Sequence, residues 1–112
     1  MKIGVTSQNF RTITGHEGKT RRFLVYESGQ AEIRELARLD LPKEMSMHAF
    51  HGDRHPLDDL DLLIDGGAGQ GFIRRMAAKG VRVITTAETD PMKAVSDLAA
   101  GRPLPPPVPH EH

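Results

Sequence analysis

Residues 61–71, Asp-Leu-Leu-Ile-Asp-Gly-Gly-Ala-Gly-Gln-Gly, constrain the fold of this chain more than any other stretch. Leu62, Leu63 and Ile64 form an apolar run with the length of a buried strand, and four glycines follow within residues 66–71. Phe72, Ile73, Met76 and Ala77 then recur at helical spacing. A strand that passes at once into a helix through glycine lets the backbone come close to another group. It also leaves helix N-terminal amides, and those of 67–69, pointing outward as a seat for an anion or an electron-rich cluster. Tight strand-to-helix packing uses glycine equally well. The turn has neither a Gly-Lys-Ser/Thr ending nor a full Gly-x-Gly-x-x-Gly, which argues against a nucleotide site.

The rest of the chain arranges itself around that turn. Lys2–Thr6 reads as a first strand, and residues 7–21 as a polar loop around His16. A second strand over 22–27 (Phe23, Leu24, Val25, Tyr26) ends in the turn residues Ser28-Gly29-Gln30. Residues 31–41 carry two patterns. Ile33, Leu36, Ala37 and Asp40 lie at helical intervals, whereas Ile33, Glu35, Ala37 and Leu39 alternate as a hairpin partner would. The short turn before them favours the hairpin. Residues 42–60 are irregular, 61–65 a strand, 68–79 a helix stopped by Gly80, and 81–86 a β-branched strand. Asp90-Pro91 is a helix start, with Asp as N-cap and Pro at the first helical position. Of the 112 residues, 1–102 make a single domain and 103–112 read as a flexible proline-rich tail. Strand–helix–strand in the C-terminal half demands parallel pairing and the central hairpin antiparallel pairing, hence a mixed α/β sheet.

Charged residues balance at 15 basic and 15 acidic, so no global field draws the chain to nucleic acid or to anionic lipid. Aromatic residues are too few for base stacking. The absence of cysteine excludes disulfides and thiolate zinc sites. No signal-like apolar region follows Met1-Lys2, and no run is long enough to span a bilayer, so the expectation is a cytoplasmic protein without a membrane partner.

His48, His51 and His55 lie three and four residues apart in the irregular segment, spacing that places neutral imidazoles around one metal centre. The plainer reading is a polar loop rich in histidine. His16 sits between glycines and reads either as a ligand or as a residue hydrogen-bonded within its own loop. Lys19, Arg21 and Arg22 suit an anionic cluster beside His16, or a solvated charged edge.

Ile13-Thr14-Gly15-His16-Glu17-Gly18-Lys19, followed by Arg22-Phe23-Leu24-Val25-Tyr26, resembles the signature of the dinitrogenase iron–molybdenum cofactor biosynthesis family. Gly66-Gly67-Ala68-Gly69 resembles that family's glycine turn, and Gly80-Val81-Arg82-Val83 with the helix over 90–100 falls where the family has its last strand and helix. The resemblance covers residues 1–103. It implies a ribonuclease H-like fold with a five-stranded mixed sheet in order 3-2-1-4-5 and helices packed on it, with 31–39 as a strand. It also implies binding or carriage of an iron–sulfur or iron–molybdenum cluster or its precursor, with nitrogenase assembly proteins as partners, as monomer or homodimer. His16, Lys19, Gly66, Gly67 and Gly69 would then bind the cofactor, and His48, His51 and His55 its metal. Many family members place cysteine or a histidine-rich run before the glycine turn; here there is histidine alone. Thiolates usually hold iron–sulfur clusters, so imidazole ligation points to transient binding.

Nucleases of that fold hold two metal ions with clustered carboxylates on the first strand and its neighbours. Lys2-Ile3-Gly4-Val5-Thr6 has no acid, and there is no nucleophile elbow or cysteine nucleophile. The expectation is a binding protein and not an enzyme. The alternative is a small regulatory or oligomerising module that binds a partner protein or an anionic metabolite.

Overall fold

The computed structural model describes residues 1–15, 21–29, 32–42, 56–67 and 69–107. Its strands are β1 (Lys2–Thr6), β2 (Arg22–Ser28), β3 (Ile33–Asp40), β4 (Leu62–Asp65) and β5 (Arg82–Thr85). The α-helices among the described residues are α1 (Gln70–Ala78) and α2 (Pro91–Ala99), and a 3-10 turn spans Pro56–Asp59. The strands form one sheet in order β3-β2-β1-β4-β5, the order that the family resemblance implies. β1 pairs antiparallel with β2 and β2 antiparallel with β3, while β1–β4 and β4–β5 are parallel.

Alternation along the inner strands sends side chains to two apolar layers, one on each face. Ile3, Val5, Leu24, Tyr26 and Ile64 pack with Ala94 and Val95 of α2. Phe23, Val25 and Leu63 pack with Phe72 and Met76 of α1, together with Leu57, Leu60 and Val81. Each fully buried aliphatic side chain in these layers contributes about 1.5–3 kcal/mol of transfer free energy. Gly4 faces the α1 layer, and the Leu60 side chain fills the space where a Cβ at residue 4 would stand. A larger residue in the middle of the central strand would therefore displace a core leucine.

Both helices end in the same way. Gly80 (φ 83°) follows α1, with Val81 N–H donating to Met76 O at 2.9 Å and Gly80 N–H to Ala77 O at 3.0 Å. Gly101 (φ 79°) follows α2, with Arg102 N–H donating to Asp97 O at 2.8 Å and Gly101 N–H to Leu98 O at 3.1 Å. This double bond closes the last carbonyls of a helix and needs a left-handed residue, hence glycine at both positions. At its start α2 is capped by Asp90, whose Oδ1 accepts from Met92 N–H at 3.0 Å and Lys93 N–H at 3.2 Å.

β3 is a strand despite its helical spacing, but its alternation is broken. Val25 pairs with Ala37 and Tyr26 with Glu35, so Leu36 is an extra residue in the ladder. The bulge sends Ile33 and Glu35 to one face and Ala37 and Leu39 to the other, so the single face read from their spacing does not exist. After α2 the chain runs on past the last helix: Leu104 packs on the α2-side layer, and Thr86 Oγ1 donates to Pro105 O at 2.7 Å. No described helix is long and apolar enough to cross a membrane.

Candidate functional site

The chain diverges at one point of the sheet. From β1 it turns to the hairpin β2–β3 on one side, and from β4 it passes through α1 to β5 on the other. Between such strands the connections part and leave a crevice at their carboxyl ends, the usual seat of ligands in open α/β sheets. Here the two connections bordering that position are glycine-bearing loops, one after β1 and one after β4.

The two loops are in contact. Gly66 N–H donates to Thr14 O at 3.2 Å, and Thr14 N–H donates to Thr6 O at 3.0 Å. The Thr6 hydroxyl donates to Thr14 O at 2.5 Å and lies 3.4 Å from Ile64 O, and Gln8 N–H donates to Thr14 Oγ1 at 3.0 Å. A Cβ on Gly66 would stand 3.0 Å from Thr14 C and 3.1 Å from Gly15 N. A side chain at 66 would press on the Thr14–Gly15 backbone, which would have to give by a few tenths of an ångström.

Asp65 ends β4 inside the protein, 1% exposed. Its Oδ1 accepts from Gly67 N–H at 2.8 Å, and its backbone O accepts from Thr86 N–H at 3.0 Å. Thr6, Ser7, Asp65 and Thr86 thus form a buried polar row along the carboxyl ends of the three parallel strands. The sequence reading missed this row. Its signal is a polar residue directly after each apolar strand: Thr6-Ser7, Asp65 and Thr86.

The geometry divides the glycines by task. The amides of Gly66 and Gly67 are used within the turn, by Thr14 and Asp65, so these two residues supply close approach and not free donors to a ligand. Gly69 is the N-cap of α1 and makes no side-chain cap. Ile73 N–H to Gly69 O, 3.1 Å, closes the first helical turn. The positive end of the α1 dipole and its first-turn amides thus lie beside the crevice without a side-chain acceptor from the cap residue.

The loop after β1 is held from within. Asn9 Oδ1 accepts from Arg11 N–H at 2.8 Å and Thr12 N–H at 2.9 Å, and Ser7 Oγ donates to Thr12 O at 2.7 Å. Ile13 N–H donates to Thr89 O at 2.8 Å, which ties the loop to the segment before α2. Phe10 has a left-handed backbone (φ 57°), rare for a bulky residue. Its ring lies 5.7 Å from the Arg22 guanidinium and 5.9 Å from that of Arg38. Arg22 also donates to Gln8 O at 3.0 Å and pairs with Asp40 at 3.3 Å, so it serves the loop. Beneath it, burial pushes the Tyr26 phenol above its ordinary range; the Glu35 and Asp90 charges add to this and Arg38 opposes it.

Of the residues singled out from the sequence, Gly66 and Gly67 lie in the turn after β4 against the loop after β1, and Gly69 caps α1. His16 and Lys19 lie outside the described residues, as do His48, His51 and His55. The loop is described up to Gly15, and there it abuts the glycine turn. Among the described residues no group of three or more histidine, aspartate and glutamate side chains could hold a metal ion.

The family described as dinitrogenase iron-molybdenum cofactor matches residues 1–101. The crystal structure of PH0822 is similar at 15% sequence identity, with a TM-score of 0.71, 91% of this chain covered and 93% of that one. The NMR structure of TM1290 from Thermotoga, a protein placed in the DUF35 family, is similar at 12% identity and a TM-score of 0.61, covering 99% of this chain and 97% of that one. At such identities the likeness to these two is one of fold. No curated protein matches the chain.

Proposed function

The chain belongs to the dinitrogenase iron-molybdenum cofactor family, and from that premise we propose that it is a non-catalytic carrier of an iron–sulfur or iron–molybdenum cofactor or its precursor. It would serve metallocluster biosynthesis or nitrogen fixation and hand its cargo to nitrogenase assembly proteins. The ribonuclease H-like label belongs to the same reading, supported by the strand order.

One observation carries the proposal: the contact of Thr14–Gly15 with Gly66–Gly67 beside the start of α1. Two tight loops there leave backbone as the floor of the crevice, and the α1 first turn offers N–H donors to an electron-rich cargo. Hydrogen bonds to cluster sulfides stabilise their charge. The chain has no cysteine, so its own thiolates cannot hold the iron. In this reading His16, His48, His51 and His55 supply imidazole contacts and Lys19 offsets the cluster's charge. Imidazole ligation without thiolate suits release, which a carrier needs.

The non-catalytic reading rests on the carboxylates. β1 has none, and the single acid at the end of β4, Asp65, holds the Gly67 amide. A two-metal phosphodiester mechanism lacks its central ligand on that strand.

The test is anaerobic incubation with isolated iron–molybdenum cofactor and, separately, an iron–sulfur precursor, followed by desalting, metal analysis and absorption spectroscopy. Retained metal with a cluster spectrum is expected. Occupancy should fall as pH drops through the histidine range near about 6.5, because only neutral imidazole ligates. A variant with His48, His51 and His55 all changed to Ala should lose most of the metal; full retention would move the ligand role to His16. Absence of retained metal from either cargo near about pH 7.5 would refute the carrier role.

A further inference from the structure

Among the described residues β3 is one of the two edge strands of the sheet, and its central residues Arg34, Glu35, Leu36, Ala37 and Arg38 are all exposed. Edge strands are commonly guarded against pairing with their own copies by charged side chains. This one presents Arg34, Glu35, Arg38 and Asp40, two of each sign.

The direction of its backbone groups follows from the neighbouring strand. Arg22 O accepts from Ser7 N–H at 3.0 Å and Ser28 N–H donates to Met1 O at 2.9 Å, so these β2 residues face β1. Their partners across the ladder, Asp40 and Ile33, therefore turn their own N–H and C=O to the open edge. Alternation extends this to Arg38 opposite Leu24 and to Glu35 opposite Tyr26. Without the bulge at Leu36 the two ends of the strand would not both present outward groups at these positions. With it, Ile33, Glu35, Arg38 and Asp40 lie on one face and share one hydrogen-bonding edge. The 2.8 Å ion pair between Arg38 and Glu35 fits that common face.

This set is complementary to its own reverse. We propose that β3 pairs antiparallel with β3 of a second copy of this chain, about a two-fold axis between Leu36 and Ala37. In that register Glu35 faces Arg38 of the second copy, and Arg38 faces Glu35 in return. Ile33 faces Asp40, and Leu36, 43% exposed, meets Ala37 at the axis. All outward-facing backbone groups meet outward-facing groups, as an isologous contact requires. Opposite charges directly across a strand pair are favourable and like charges unfavourable. The contact joins the two sheets into one, and it leaves the β1–β4 crevice of each copy free because that crevice lies on the far side of β2. The inference is independent of the cargo.

A single strand pair buries less than the usual stable interface, below about 1,200 Å², so the dimer is weak and concentration-dependent. Sedimentation velocity on the full chain from about 10 μM to about 1 mM tests it. The wild type should pass from monomer to dimer across that range. Glu35→Arg and Arg38→Glu should each raise the midpoint concentration about tenfold or more, since each sets two like-charged pairs across the axis. Mixed in equal amounts, these two variants should form a heterodimer, because both cross-strand pairs are then restored. The double variant E35R/R38E should associate as the wild type does. Circular dichroism and thermal midpoints establish that each variant is folded. A wild type that stays monomeric throughout overturns the proposal. So does a Glu35→Arg variant that dimerises like the wild type, or a mixture that fails to associate.

Discussion

Gly15 approaches Gly67 so closely that a methyl group on Gly15 would lie 2.7 Å from the Gly67 nitrogen. Neither loop can retreat cheaply, since Thr14 is bonded to Thr6 and Gly67 to Asp65. Gly15→Ala should therefore cost about 1–3 kcal/mol, as forced overpacking does. Gly71 lies in the first turn of α1, and a methyl group placed there would have nothing within 4 Å. Gly71→Ala should stabilise the fold by about 0.4–1 kcal/mol. Urea denaturation of the two variants beside the wild type checks both signs. Equal destabilisation by the two would show that the crevice contact has no special role.

Removing the Asp90 carboxylate should loosen the start of α2. Its Oδ1 satisfies the amides of Met92 and Lys93, which have no preceding carbonyl partner in the helix ladder. Asp90→Ala is expected to cost about 1 kcal/mol, and Asp90→Asn or Asp90→Ser distinctly less. Denaturation midpoints measured at constant m-value provide the comparison.

A third expectation concerns acid. Lys93 Nζ lies 2.9 Å from Asp97 Oδ2 and Arg102 Nε 2.9 Å from Oδ1. The hydrogen bonds from Lys93 and then Arg102 hold the Asp97 carboxyl below its ordinary value of 3.8. A carboxyl whose folded pKa is depressed stabilises the fold fully above its unfolded pKa, and that stability disappears as pH falls through the folded pKa. The melting temperature of Asp97→Asn should thus lie below that of the wild type at neutral pH, and the two should converge in acid. A difference that persisted unchanged below the carboxylate range would assign the effect to packing.

How much of this was legible in the sequence depends on what each element packs against. β1 and β4 are apolar runs in the middle of the sheet, and both emerged from hydrophobicity alone. α2 was legible from Asp90 and Pro91, whose cap chemistry is local. β3 was harder because an exposed edge strand has little burial to enforce alternation, and the bulge at Leu36 shifts its period without a glycine to mark it. The glycine turn was visible as a turn, but not the use of its first two amides. That depends on the Asp65 carboxylate folding back and on the Thr14 carbonyl arriving from a distant loop. The left-handed backbone of Phe10 is equally non-local, for its ring lies near the guanidinium groups of arginines from two different strands, 5.7 Å from Arg22 and 5.9 Å from Arg38.

The hydrogen bond from Thr86 to Pro105, with Leu104 seated beside it, separates the boundary of likeness from the boundary of folding. Similarity to the family ends at residue 101, yet the α2-side layer takes one more leucine from beyond that limit. A chain shortened to the family's extent would uncover part of the α2-side layer and strip the Thr86 hydroxyl of its acceptor, so the residues after the helix act as a clasp beyond the matched span.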